Sequence, residues 1–450
     1  MSRIRIVMTI IVVIFVTLLT GCTGKEPNEI AYVVALGIDS TDDDNYKITI
    51  QYANTTQISG GASESGGKAG SEIVDNVTIE APNIYAGVGL ANNIVSKSFS
   101  MSHAKLIVFS KEIAEKGVKD MIETLVRSEE IRPDVFIAVA NTTANDYLTS
   151  VNPEMEVNPA QYYQLIYQKN QLVGIPDGQL REFFTGLYTD NYDSILPVAG
   201  VIEGSGGNSQ NDDKGQSKDG QNEGSEGSSE SLDSFESKSS NEKDENEKEK
   251  DAEKNTSKYE YDIKNYVGGE TAIEKKNKAE AIGAAVFEKD KMVGELGEVE
   301  TEICKMLKGD YTYSYLTYYN NDTPDIPITV KTTQQKKPKY KIDTDKKTVD
   351  IELYIESDLY SLPADYNVEN KIEDFERDVA NYTSSACTEF INNFTKKYNS
   401  DILKLNEKIK YKFLTNNQYN WFKKNVGWSE YKFSVCTNFK VRRTGLIVRE

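Results

Sequence analysis

In Lys105-Leu106-Ile107-Val108-Phe109 four apolar residues follow one another without a break, and what comes after them decides the fold class. Val118, Met121, Ile122 and Leu125 recur at helical spacing, Pro133 stops that helix, and Asp134–Ala140 is a second apolar run. Two apolar strands flanking one helix form a β-α-β unit, so part of their sheet is expected to be parallel.

Upstream, Glu29–Ile38 and Tyr46–Tyr52 read as strands around the acidic turn Asp42-Asp43-Asp44-Asn45, the pattern of a hairpin. Pro82 is expected to open a helix whose apolar positions are Ile84, Val88, Ala91 and Val95. Downstream, helices are expected over Pro159–Lys169 and Asp177–Leu187.

The carboxyl-terminal half repeats the mixture. A strand at Ile282–Phe287, a turn at Asp290 and a helix over Gly297–Leu307 precede strand-like runs at Tyr311–Leu316, Ile326–Thr332 and Thr348–Ile355. The clearest helix carries Ile372, Phe375, Val379, Tyr382, Ala386, Phe390, Phe394 and Tyr398, spaced by three or four throughout. Asn370 with Glu373 suggests a capping box, and acidic residues at the start against Lys396 and Lys397 at the end suit the helix dipole. Such a helix spans about 40 Å, enough to cover one face of a sheet. A last strand, Tyr431–Val441, runs into Arg442-Arg443-Thr444-Gly445-Leu446-Ile447. Both halves therefore read as α/β (α+β), a multidomain chain of mixed sheets flanked by helices.

Glu203–Lys258 breaks this pattern. It holds sixteen acidic and eight basic residues among Gly, Ser and Asn, with little besides Leu232 and Phe235 to bury. A segment of that composition does not offset its ordering entropy and is expected to be a disordered acidic linker. The expected organisation is a signal peptide at 1–21, an amino-terminal domain at 22–202, the linker at 203–258 and a carboxyl-terminal domain at 259–450. Gly60–Gly70 is expected to be a shorter flexible loop.

The first residues set the compartment. Arg3 and Arg5 precede the uncharged stretch Ile6–Leu19, too short at about fourteen residues to span a bilayer, and Thr20-Gly21 leads into Cys22. This arrangement resembles a bacterial lipobox, in which Cys22 is acylated and becomes the amino terminus. Losing Arg3 and Arg5 takes the formal charge of -19 to about -21, which argues against nucleic acid as a partner. Bacterial membranes are also anionic, so net charge repels the chain from the surface where the lipid holds it.

Chemistry is sparse. Cys304, Cys387 and Cys436 lack any CxxC spacing and read as small buried hydrophobes, with a Cys387–Cys436 bridge as a lesser alternative. His103 is the single histidine, which excludes multi-histidine zinc sites and leaves a structural or interface role ahead of general-base work. Gly87-Val88-Gly89 fails as a dinucleotide fingerprint because Asn92 stands at the third glycine position. Gly66-Gly67-Lys68 fails as a phosphate loop because Ala62 and Ala69 replace its first glycine and its hydroxyl residue. Asp39, Asp42, Asp43 and Asp44 suit a solvated hairpin turn better than a calcium site. Tyr311, Tyr313 and Tyr315 alternate on one strand face, expected to lie under a helix, with sugar stacking as the alternative. No catalytic, cofactor-binding or metal-binding residue is assigned, and no cofactor is expected.

Three separated stretches resemble the C subunits of bacterial spore germinant receptors, the Ger(x)C or GerAC-like lipoproteins. They are Glu29-Ile30-Ala31-Tyr32-Val33-Val34-Ala35-Leu36-Gly37-Ile38-Asp39, then Ser102-His103-Ala104-Lys105-Leu106-Ile107-Val108-Phe109 with Glu112–Gly117, and finally Arg442–Ile447. The resemblance implies a non-enzymatic, lipid-anchored subunit on the outer face of the spore inner membrane. It implies assembly with membrane A and B subunits to trigger germination, and α/β domains built around separate sheets. A lipid-anchored solute-binding protein serving a permease, and a cell-wall hydrolase, are the alternatives.

Overall fold

The structure is a computed structural model that describes residues 3–9, 29–43, 45–53, 74–153, 156, 158–168, 174–189, 191–202, 265–271, 277–320, 323–362, 368, 371–398 and 400–444. Cys22, the Gly60–Gly70 loop, the 203–258 linker and Gly445-Leu446-Ile447 lie outside the described residues.

The first sheet has nine strands: β1 (Ile30–Ser40), β2 (Tyr46–Ala53), β3 (Val74–Ala81), β4 (Ser98–Ser100), β5 (Leu106–Ser110), β6 (Phe136–Ala140), β7 (Ile195–Val201), β8 (Ala279–Glu288) and β9 (Lys291–Leu296). Their order is β3-β2-β1-β5-β6-β7-β8-β9, with β4 beside β1. The centre is parallel, as the β-α-β reading requires, since β5 pairs in parallel with both β1 and β6. Antiparallel pairs close each end, β1–β2–β3 on one side and β7–β8–β9 on the other.

Strand β5 is buried throughout because helices cover both faces. Ile107 and Phe109 join a core with α1 (Ile84–Ile94), α2 (Lys111–Lys116), α3 (Lys119–Val126) and α6 (Leu180–Thr189). Leu106 and Val108 face the opposite core, filled by α4 (Ala144–Ser150) and α5 (Pro159–Gln168). Alternate residues of one strand thus supply two cores. Pro82 does not start α1. The helix begins two residues later, with the Asn83 side chain accepting the Ala86 N–H at 2.9 Å.

The second sheet has five strands: β10 (Tyr313–Asn320), β11 (Thr323–Gln334), β12 (Lys339–Asp343), β13 (Thr348–Ser361) and β14 (Lys432–Arg443), in the order β10-β11-β13-β12 with β14 parallel to β13. Strand β13 alternates buried and part-exposed residues, so one face is covered and the other is wet. The cover consists of α7 (Glu298–Lys308) and the long helix α8 (Ile372–Lys397), followed by α9 (Leu405–Ile409) and α10 (Asn416–Asn425). Helix α7 stops at Gly309, whose φ of +85° is the left-handed conformation that glycine adopts without a Cβ penalty. Helix α8 has Lys371 as its N-cap and no side-chain cap bond there, and Asn370, the expected cap, lies outside the described residues.

The two sheets do not follow the expected halves. Ile282–Phe287, expected to open the carboxyl-terminal domain, is the body of β8 and completes the first sheet, with Ala199 of β7 opposite Ala281. Strand β8 is buried along nearly its whole length, so it needs a neighbour on each side and a layer on each face. Its Ala285 and Phe287 join the first core, while Ala284 and Val286 join the core of the second sheet. Among the described residues no helix is long and apolar enough to cross a membrane.

Candidate functional site

The structure brings two of the three diagnostic stretches together and gives each a physical task. β1 and β5, which carry the first two, are parallel neighbours, with Ala35 opposite Leu106 and Ile38 opposite Phe109. Asp39, at the end of β1, caps α4: its carboxylate oxygens accept the Ala144 and Asn145 N–H groups at 2.6 and 3.0 Å. Gly37 allows that helix to come close, because a Cβ there would stand 3.0 Å from Leu148 Cδ1 and 3.1 Å from Ala144 Cβ. The Leu36-Gly37-Ile38-Asp39 segment of β1 therefore docks a helix N-terminus onto a strand. Burial raises the Asp39 carboxyl above its usual range, opposed by the two backbone bonds and by Lys47.

His103 is exposed beside the start of β5. Its ring meets Tyr32 edge-on at 4.8 Å between centroids, and its Nδ1 lies 3.0 Å from Ser102 Oγ. The arrangement is a surface contact between β1 and the turn that leads into β5. In the third stretch, Arg442 is the penultimate residue of β14 in the second sheet and lies 3.6 Å from Glu356.

The cysteines divide. Cys304 and Cys387 are fully buried, and burial pushes both thiols up to about 12. Cys436, expected to be buried, is exposed, because β14 alternates and this position falls on the wet face. Cys387 and Cys436 are both free thiols.

The tyrosine row also needs correction. Tyr311 precedes β10 and is buried, bonding Thr332 through its hydroxyl. Tyr318 is the residue that lies under α8, meeting Phe375 and Tyr382. Tyr315 stands on the wet face, 53% exposed, with the ring of Tyr360 5.3 Å away. The period of two is right, but helix and solvent exchange faces relative to the expectation.

A cleft of about 590 Å³ opens between the end of α6 nearest Asp177 and the end of α7, lined among others by Asp177, Glu182, Lys305, Lys308, Asp310 and Lys404. Sequence reasoning identified none of these, since they come from three distant segments. Burial alone would raise the Glu182 carboxyl, yet its bond and charge contact with Lys404, helped by Lys308 and Arg181, hold it below its usual value. Burial depresses the Lys305 ammonium, which donates to the Ile175 carbonyl at 2.9 Å. Behind this wall, burial pushes the Glu302 carboxyl up to about 7 while it accepts a 2.7 Å bond from Ser314. Acidic and basic side chains both line the cleft. Among the described residues no group of three or more His, Cys, Asp or Glu side chains is placed to hold a metal ion.

Comparison with known proteins gives two family matches, the second of which begins inside β8 of the first sheet. A family described as "Spore germination protein N-terminal domain" matches residues 24–201, and one described as "Spore germination B3/ GerAC like, C-terminal" matches residues 282–445. Spore germination protein KC of Bacillus subtilis (strain 168) is 27% identical over 176 residues, covering 36% of this chain and 43% of the relative. Spore germination protein B3 of the same organism is 26% identical over 148 residues, covering 31% and 36%. Spore germination protein GerQC of Bacillus cereus is 27% identical over 104 residues, covering 23% and 29%. The chain spans less than half the length of these relatives. A crystal structure of the GerBC protein aligns with 90% of this chain and 96% of its own, at a TM-score of 0.48 and 15% identity.

Proposed function

The chain belongs to the GerAC-like family of spore germination proteins, and from that premise we propose that it is the C subunit of a spore nutrient germinant receptor. In this reading Cys22 is acylated and tethers the folded chain to the outer face of the spore inner membrane. There it assembles with membrane A and B subunits and acts through protein contacts, without chemistry on a substrate. One observation carries the reading: the two family matches lie in order on 24–201 and 282–445, and the strands that border the gap, β7 and β8, pair into one sheet. A continuous sheet suits a cap that transmits contact, and a lipid tether would hold that cap beside its partners at high effective concentration.

Replacing Cys22 with Ala in the spore-forming organism tests this reading. Nutrient germination is expected to be lost while the purified chain keeps its melting temperature. Normal germination of such spores would overturn it.

The charged cleft favours a second reading, a lipid-anchored solute-binding protein delivering a nutrient to a permease. That function calls for two lobes hinged about the cleft, whereas β7 and β8 hydrogen-bond across the boundary where the hinge would lie. Saturable binding of one nutrient by the isolated chain, with an accompanying domain closure, would favour it.

A further inference from the structure

An acidic protein tethered to an anionic bilayer is repelled by its own support, yet one segment of this fold has the opposite character. From Lys404 to Asn425 the sequence carries six lysines and a single acidic residue, Glu407. The same segment presents Leu414, Tyr411 and Trp421 at 95%, 80% and 63% exposure. These side chains sit on a packed platform. Phe413 meets Tyr419 and Phe422 at 5.8 and 5.1 Å, and Phe422 meets the buried Trp428 at 5.9 Å. Since Tyr419 and Phe422 face inward from α10, Asn417, Trp421 and Lys424 share its outer face at i, i+4 and i+7. Lys410 and Lys424 are exposed around them, whereas Lys412 donates to the Ile342 carbonyl.

We infer that this platform docks on an anionic lipid surface, with Leu414 and Trp421 entering the headgroup region and the exposed lysines meeting lipid phosphates. Tryptophan, tyrosine and lysine around a protruding leucine is the composition that a bilayer interface selects. The charge is complementary: lysines near an anionic leaflet are attracted, while the acidic remainder of the chain is pushed away, and the two effects together orient the molecule. The inference rests on the reading that the chain works at a membrane. A patch this small binds weakly alone, and the Cys22 tether supplies the local concentration.

The test uses the chain from residue 22 onward with Cys22→Ala, so that no acyl group contributes, and with Trp428→Phe, which leaves Trp421 as its sole tryptophan. The probes are vesicles of phosphatidylglycerol with phosphatidylcholine, and of phosphatidylcholine alone. Only the anionic vesicles should shift Trp421 emission to the blue and co-sediment the protein, and added salt should reverse both effects. Lys410→Gln and Lys424→Gln should each weaken partition about fivefold, and Leu414→Glu should abolish it at unchanged melting temperature. Should Trp428→Phe fail to fold, co-sedimentation of the Cys22→Ala chain gives the same comparison. An unmoved Trp421 spectrum, or vesicle binding indifferent to Leu414→Glu, overturns the inference and reassigns the patch to a protein contact. Patch binding with an unmodified Cys22 in native envelopes would instead sink only the tether.

Discussion

Asn392 of α8 closes both backbone groups of Phe433 in β14: its Oδ1 accepts the Phe433 N–H at 3.1 Å, and its Nδ2 donates to the Phe433 carbonyl at 2.9 Å. The contact belongs to a ladder. Thr388 Oγ1 accepts from Val435 N at 3.0 Å, Ser384 Oγ from Thr437 N at 2.9 Å, and Glu376 Oε1 from Val441 N at 2.8 Å. Four residues of helix rise about 6 Å and two residues of strand about 6.6 Å, so a helix laid along a strand can meet every second residue with every fourth. By this means a twelve-residue edge strand is denied to other chains.

Asn392→Ala should therefore cost about 1–3 kcal/mol in chemical denaturation, since it leaves an N–H and a carbonyl of β14 without these partners. Combined with Thr388→Val and Ser384→Ala it should also expose the edge. Light scattering is then expected to show self-association that none of the three changes produces alone.

Gly37→Ala should destabilise the chain by about 1–3 kcal/mol through crowding against Leu148 and Ala144. Asp39→Ala should cost about 1–2 kcal/mol by removing two bonds to the first N–H groups of α4, whose Thr143 cap remains. Because both act on the docking of one helix, the double variant is expected to lose less than the two single losses added together, and thermal melts of the four chains measure this coupling.

The Glu302 carboxyl, at about 7 in the folded chain, is raised above its unfolded value chiefly by burial. Its protonated form is favoured by folding, so its contribution is fully present below the unfolded value near 4.5 and is lost as pH rises through about 7. Stability measured from pH 4.5 to 7.5 should accordingly decline less steeply in Glu302→Gln than in the parent chain. An identical slope in the two would count against this assignment.

In the folded chain carrying Cys22→Ala, iodoacetamide should add one mass increment, at Cys436. Unfolding should raise this to three. The thiols of Cys304 and Cys387 are held neutral by burial, and the thiolate is the reacting species.

Much of the fold was legible along the chain. The apolar run at Leu106–Phe109 and the three- and four-residue steps of Phe375, Val379, Phe390 and Phe394 report which side of each element is buried, and α5, α6, α7 and α8 appear close to their expected positions. Strands β3, β4, β7, β9 and β12 were not anticipated, nor were α4, α9 and α10. α4 is a short helix of seven residues with its own Thr143 cap, and the bonds that Asp39 adds come from more than a hundred residues away, beyond a local reading. The charged cleft was hidden for the same reason: Asp177, Lys305 and Lys404 share no local pattern and meet only through the fold.

The sequence by itself determined the class of each long element and the order of the three stretches that resemble the family, because periodicity and turn residues act within one element. Tertiary structure decided that β8 belongs to the first sheet, that Tyr318 rather than Tyr315 lies beneath α8, and that Asn392 guards Phe433. Those outcomes depend on which distant surfaces bury one another. Hydrophobic burial rewards area removed from water without regard to separation along the chain, so local pattern leaves the choice of partner open.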